Sequence, residues 1–170
     1  MPQKRLGIGS LASLALLTGT AVGGGPLFVD DDAGPGGDGL TWETAYDSLR
    51  DALANAIDGS EVRLAQGVYR PDLGNGAVPG DPSATLAIGA GVTVLGGYAG
   101  LGETDPDQRD PLANVTVIHG DLQGNDDPSG KNVHDNTHQL VTITGPGAVL
   151  EGVTLRGGYA GYWAINPNAR

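Results

Sequence analysis

The sequence predicts an all-β fold, a right-handed parallel β-helix (β-solenoid) opened by a short N-terminal capping α-helix and truncated before its stack is complete. Three observations carry the prediction. The nineteen residues 91–109, GVTVLGGYAGLGETDPDQR, return as 152–170, GVTLRGGYAGYWAINPNAR, with ten identities; repetition of this kind is how stacked architectures bury a face that one unit cannot bury alone. Short runs in which aliphatic residues alternate with Thr recur along the chain, as half-buried strands require. Finally, 30 Gly and 11 Pro in 170 residues place a turn every few residues, which leaves little room for long helices.

Taken in order, residues 1–23 read as a secretory signal peptide. Lys4 and Arg5 precede the apolar run 6–17, and Gly19, Thr20 and Ala21 supply small residues for cleavage after Ala21 or Gly23. That run is too short to span a bilayer, which takes about 20 apolar residues. The mature domain, 27–170, opens on the strand-like Leu27, Phe28, Val29 and a turn-rich stretch over 31–39. A helix is expected over 44–57, with Thr44 as N-cap, an apolar face of Ala45, Leu49, Ala52, Leu53, Ala56 and Ile57, and Asp58-Gly59 as its stop. Its expected role is to cover the N-terminal end of the stack.

After Gly59 the period changes to that of strands. Val62 and Leu64 flank Arg63, Leu86 and Ile88 flank Ala87, and Thr is flanked by Val92 and Val94, by Val115 and Val117, by Val141 and Ile143, and by Val153 and Leu155. Each such Thr (Thr93, Thr116, Thr142, Thr154) is expected to point outward. The strands opening at 92, 115 and 141 lie a little over twenty residues apart, about one coil of a parallel solenoid. Antiparallel sandwiches space their strands more closely, at roughly 8 to 12 residues. The first repeat copy continues through Asp110 and Pro111 into the strand near Val115, whereas the second reaches Arg170, so the stack is expected to continue beyond that residue.

Composition excludes several functions. A net charge of −11 and a pI near 4.3 oppose binding to a phosphate backbone, so nucleic acid is not an expected partner. With no Cys there is no disulfide framework, thiolate metal site, thiol nucleophile or lipidated cysteine. Export to the periplasm, cell surface or medium follows from the signal peptide, with no membrane span after cleavage.

The runs FVDDDAGPGGDGLTWETAYDSLRDALANA, DGSEVRLAQGVYRP, GVTVLGGYAG, DQRDPLANVTVIHGDLQGNDD and HQLVTITGPGAVLEGVTLRGG, in that order, resemble the N-terminal portion of secreted bacterial right-handed parallel β-helix proteins of the planctomycete type. That resemblance covers most of residues 28–158. It implies a pectate-lyase-like fold and export; it implies chemistry only by analogy of fold.

Candidate sites are few. Asp121, Asn125, Asp126 and Asp127 offer the hard oxygens that Ca²⁺ takes, without the spacing of an EF-hand, and the same residue types build solvated turns. Asp30, Asp31, Asp32 and Asp38 read the same way. His134 and His138 have the spacing of two zinc ligands on a helix, but Asp135-Asn136 between them marks a loop. Arg109 and Arg170, at matching repeat positions, read as capping or pairing groups. Tyr98, Tyr159, Tyr162 and Trp163 would stack on sugar rings or cover coil corners, the second being preferred, and Asn114 opens a glycosylation sequon. No catalytic residue is assigned and no cofactor is required beyond this Ca²⁺ candidate. The function expected is a non-catalytic β-helix segment that presents a face to polysaccharide or cell-envelope material; the alternative is the N-terminal part of a polysaccharide lyase or hydrolase.

Overall fold

A computed structural model describes residues 25–161. The signal peptide at 1–23, Tyr162, Trp163 and Arg170 lie outside the described residues. The elements are β1 (Leu27–Val29), α1 (Leu49–Asn55), β2 (Glu61–Ala65), β3 (Gly67–Tyr69), β4 (Leu86–Ile88), β5 (Thr93–Tyr98), β6 (Thr116–His119), β7 (Val141–Ile143), β8 (Val149–Glu151) and β9 (Val153–Arg156), with 3₁₀ turns at Trp42–Thr44 and Val133–Asp135. Strand is the dominant regular structure and every named strand pair is parallel. No helix among the described residues is long and apolar enough to cross a membrane.

The strands form three sheets. The first has the order β1-β2-β5-β8, the second β3-β6-β9 and the third β4-β7. From β2 onward the chain visits first, second and third sheet in turn, then repeats the circuit. Parallel partners cannot be joined by a tight hairpin; the intervening visits to the other two sheets supply the crossover. Between the sheets, Val29, Val62, Leu64, Tyr69, Leu86, Ile88, Val92, Val94 and Ile118 form one buried, mostly aliphatic cluster, into which α1 inserts Leu49 and Ala52.

The alternation expected for β2, β4 and β5 holds: Val62, Leu64, Leu86, Ile88, Val92 and Val94 are all buried. In β6 it is inverted. Thr116 is 1% exposed whereas Val115 is 50% exposed, and Ile118 fills the inward position. The register explains the inversion. Tyr69 stands beside Ile118 and Gly67 beside Thr116, so on the β3 side the residue of β6 nearest the corner meets backbone rather than an aliphatic side chain. There the Thr116 hydroxyl accepts the Gly97 N–H at 2.9 Å and donates to the Ala65 carbonyl at 3.0 Å, joining the first sheet to the second. Gly97, at φ +95°, provides the left-handed bend at that corner.

The strands opening near 92, 115 and 141 do not stack on one another. They fall in the first, second and third sheets, and the true neighbours are Glu61 beside Thr93 and Thr93 beside Val149 in one sheet, Thr116 beside Val153 in the next, and Leu86 beside Val141 in the third. Circuit length therefore varies, and the two described repeat strands, β5 and β9, belong to different sheets. The repeat conserves a strand-and-corner pattern, not a position in one ladder.

The helix is also shorter than expected. Thr44 closes a 3₁₀ turn capped by Thr41, and Ser48 caps α1 by accepting the Arg50 N–H. Ala45 in extended backbone breaks the two apart. Ile57 lies past the helix and is 58% exposed, whereas Leu49 and Ala52 face the core. Helix α1 packs on β4, β1 and β2. The opposite edge strands are more open, with Ile143, Val149 and Leu155 exposed.

Thr116→Val should lower stability by about 1–3 kcal/mol, since it strands the buried Gly97 N–H while the Ala65 carbonyl keeps the Tyr69 hydroxyl, and Val117→Thr should change it by less than about 0.5 kcal/mol. Urea denaturation of the two variants checks the register. Alternation as read from sequence alone would reverse their order.

Candidate functional site

The polar residues singled out from sequence gather at two loop clusters, and the larger follows β6. At the end of that strand the His119 Nδ1 accepts the Asp121 N–H at 3.0 Å, so the imidazole enters the turn as a neutral acceptor. Burial and then the nearby Arg156 guanidinium push the His119 pKa below its ordinary value, which keeps that acceptor unprotonated.

Asp121 then organises the loop. Its Oδ1 accepts the N–H groups of Gln123, Gly124 and Asn125, and its Oδ2 accepts that of Asp126. Burial pushes this carboxyl up, but the four backbone donors outweigh burial and hold its pKa below the ordinary carboxylate value. Its oxygens are therefore committed to backbone. Asn125 donates its Nδ2 to Asp135 Oδ2 at 2.9 Å, and Asp127 accepts from the hydroxyl and N–H of Ser129 and from the Lys131 N–H. Three of the four residues proposed for Ca²⁺ thus have their side chains engaged in loop hydrogen bonds, and the fourth, Asp126, is held through Oδ2 by Asn136 Nδ2 at 2.7 Å.

The sequence reading treated Asp135 and Asn136 as loop formers only. Asp135 ends the 3₁₀ turn Val133–Asp135 and Asn136 caps it, and this turn swings the chain back over the 121–127 loop. Asn136 and Thr137 are buried, and Thr137 ties the return to its surroundings: its N–H reaches the Gly120 carbonyl, its hydroxyl the Ala84 carbonyl, and its own carbonyl accepts the Tyr159 N–H. A signal was present in the sequence, since Asn125-Asp126 and Asp135-Asn136 are the same pair in opposite order and meet crosswise. His134 is exposed, with its ring edge-on to Tyr159 at 5.0 Å, and His138 contributes its backbone N–H to the Pro82 carbonyl.

The second cluster is Asp30, Asp31 and Asp32, among the described residues the one group of three acidic side chains with oxygens within 4.8 Å of one another. Asp30 is buried and accepts the Asp32 N–H through Oδ1 and the Leu101 N–H through Oδ2. Asp31 accepts the Val68 N–H, and burial raises its pKa despite that bond. These carboxylates fasten the first turn to neighbouring loops.

Aromatic residues at the face of the first sheet are likewise structural. Tyr98 is buried beside Trp42, and the Arg63 and Arg109 guanidiniums lie over its ring at 5.4 and 5.9 Å. Arg109 also donates to the Gly96 carbonyl and to Glu151, as a capping and pairing residue does. The Asn114 amide is taken up by the Gly97 and Gln108 carbonyls. On the outer side of the second sheet Val68, Val117 and Thr154 stand in register, and His119 stands beside Arg156.

No protein family, curated protein or solved structure matches the chain.

Asp121→Ala should lower stability by roughly 2–3 kcal/mol by releasing charge-assisted bonds to four N–H groups. Because its folded pKa is depressed, the stability this group contributes is present above its unfolded value, near 3.8, and is lost as pH falls through the folded value. Urea melts between neutral pH and pH 3 should show a smaller acid-induced loss in Asp121→Ala than in the parent.

Proposed function

We propose that the chain is a segment of an exported right-handed parallel β-helix protein of the pectate-lyase-like kind, and that it binds glycan or other cell-envelope polymers without transforming them. The observation that carries this reading is the in-register parallel pairing of strands in three sheets visited in fixed rotation. Successive strands lie about 4.8 Å apart. A row of equivalent side chains at that spacing suits a ligand that itself repeats, which a compact small-molecule pocket would not.

The face best suited is the outer side of the second sheet. Val68, Val117 and Thr154 form a low, uncharged strip there, and Arg156 at its border is an exposed guanidinium on an otherwise acidic chain. Such a group selects carboxylate-bearing sugars over neutral ones.

Sedimentation of the chain with polygalacturonate should show binding that weakens several-fold in Arg156→Gln, with no rise in unsaturated products when Ca²⁺ is added. Formation of unsaturated ends would instead establish the lyase reading, and equal binding by the variant would remove Arg156 from the face.

A further inference from the structure

We infer that the crossed pairs after β6 form a divalent-cation site, with Asp126, Asp135 and Asn136 as its protein ligands and Ca²⁺ as the ion that suits them. Three oxygens, Asp126 Oδ1, Asp135 Oδ1 and Asn136 Oδ1, are sealed from solvent and have no hydrogen-bond partner among the described residues. All three are acceptors, two of them on carboxylates. The nearby side-chain amides bond to other oxygens: Asn125 Nδ2 to Asp135 Oδ2, Asn136 Nδ2 to Asp126 Oδ2, and Asn132 Nδ2 to the Asn125 carbonyl. None of the ion pairs among the described residues involves Asp126 or Asp135.

Asn136 makes the strongest case. It is 1% exposed, and its Nδ2 bond to Asp126 fixes the amide against that carboxylate, which leaves its other arm, Oδ1, buried with nothing to accept from. A buried amide oxygen with no donor is rare in folded proteins and calls for an explanation. Two carboxylates and an amide carbonyl are a hard-oxygen set whose charge matches a divalent ion, and the irregular loop geometry suits Ca²⁺ better than Mg²⁺, which demands a near-octahedral shell. This ligand set keeps Asp126 from the sequence reading and replaces Asp121, Asn125 and Asp127, whose side chains hold the loop itself.

A cation here joins the 121–127 loop to the return segment that carries Thr137, so its binding must add to folding stability by linkage. Thermal melting of the full chain in EDTA and in CaCl₂ tests this. Calcium at a hundredfold excess over its Kd should raise Tm by roughly 5–10 °C, and magnesium by less. Asp135→Asn should melt at or above the parent in EDTA, because it removes an uncompensated charge, and should lose the calcium-dependent rise. Asp127→Asn, which keeps an oxygen for its own turn, should retain that rise. A parent whose Tm ignores calcium, as it would if buried water served these oxygens, overturns the site. So does a rise that survives in Asp135→Asn, or one that is lost in Asp127→Asn.

Discussion

Each strand among the described residues is three to six residues long, and a strand of that length is not stable by itself. What the rest of the structure depends on is therefore lateral: each strand borrows its stability from a parallel neighbour one circuit away. The aliphatic core is thin and continuous because each inward position adds its side chain to a column begun by the strand before, as in Leu27, Val62, Val94 and Leu150. The same dependence explains the difference between the two ends. The first edges are covered by α1 and by the turn that joins Val29 to Tyr46, while β7, β8 and β9 keep aliphatic side chains in contact with solvent.

Given so little core, the acidic composition acquires a structural meaning. A chain with this many turns leaves many N–H groups without a ladder partner. Asp side chains supply the acceptors: Asp30 for Leu101, Asp31 for Val68, Asp72 for Gly80, Asp110 for Leu112 and Asp121 for a whole loop. Side-chain hydroxyls from Thr44, Ser83 and Ser129 hold Asp38, Asp81 and Asp127 below the ordinary carboxylate pKa in the same manner. The net charge of −11 is in large part the result of capping turns with carboxylates.

This division also marks how far the sequence could be read. The all-β class and the inward residues of β2, β4 and β5 were legible because aliphatic alternation is a local property. The inversion in β6 was not, since Thr116 faces inward only because Gly67 and Gly97 bring backbone groups to that corner, a fact of pairing between distant segments. For the same reason the strands opening near 92, 115 and 141 gave a plausible coil length yet belong to separate sheets. The helix began late because Ala45 is extended, which propensity alone does not reveal. At the acidic loop the residue types were legible and the ligands were not: Asp121, the most suggestive residue, is spent on backbone, and Asn136 matters only once the return segment is seen to lie over Asp126.

Two of the passages from first to second sheet turn within a single residue, Gln66 between β2 and β3 and Gly152 between β8 and β9. The passage between them, from β5 to β6, is a long excursion, yet it leaves and re-enters at nearly one point: Tyr98 pairs antiparallel with Arg109, and the Asp110 N–H returns to the Gly97 carbonyl at 2.8 Å. Its two stems clasp each other before the chain moves on, and beyond them Leu101 still donates to Asp30 while Asp107 accepts from Trp42 and Arg63, so that only the tip of the segment is free of ties to other elements. Residues 102–106 are thus a natural grafting point, where sequences of other lengths can be exchanged through evolution or by engineering while the bonds of Leu101 and Asp107 and the pairing of the stems are kept.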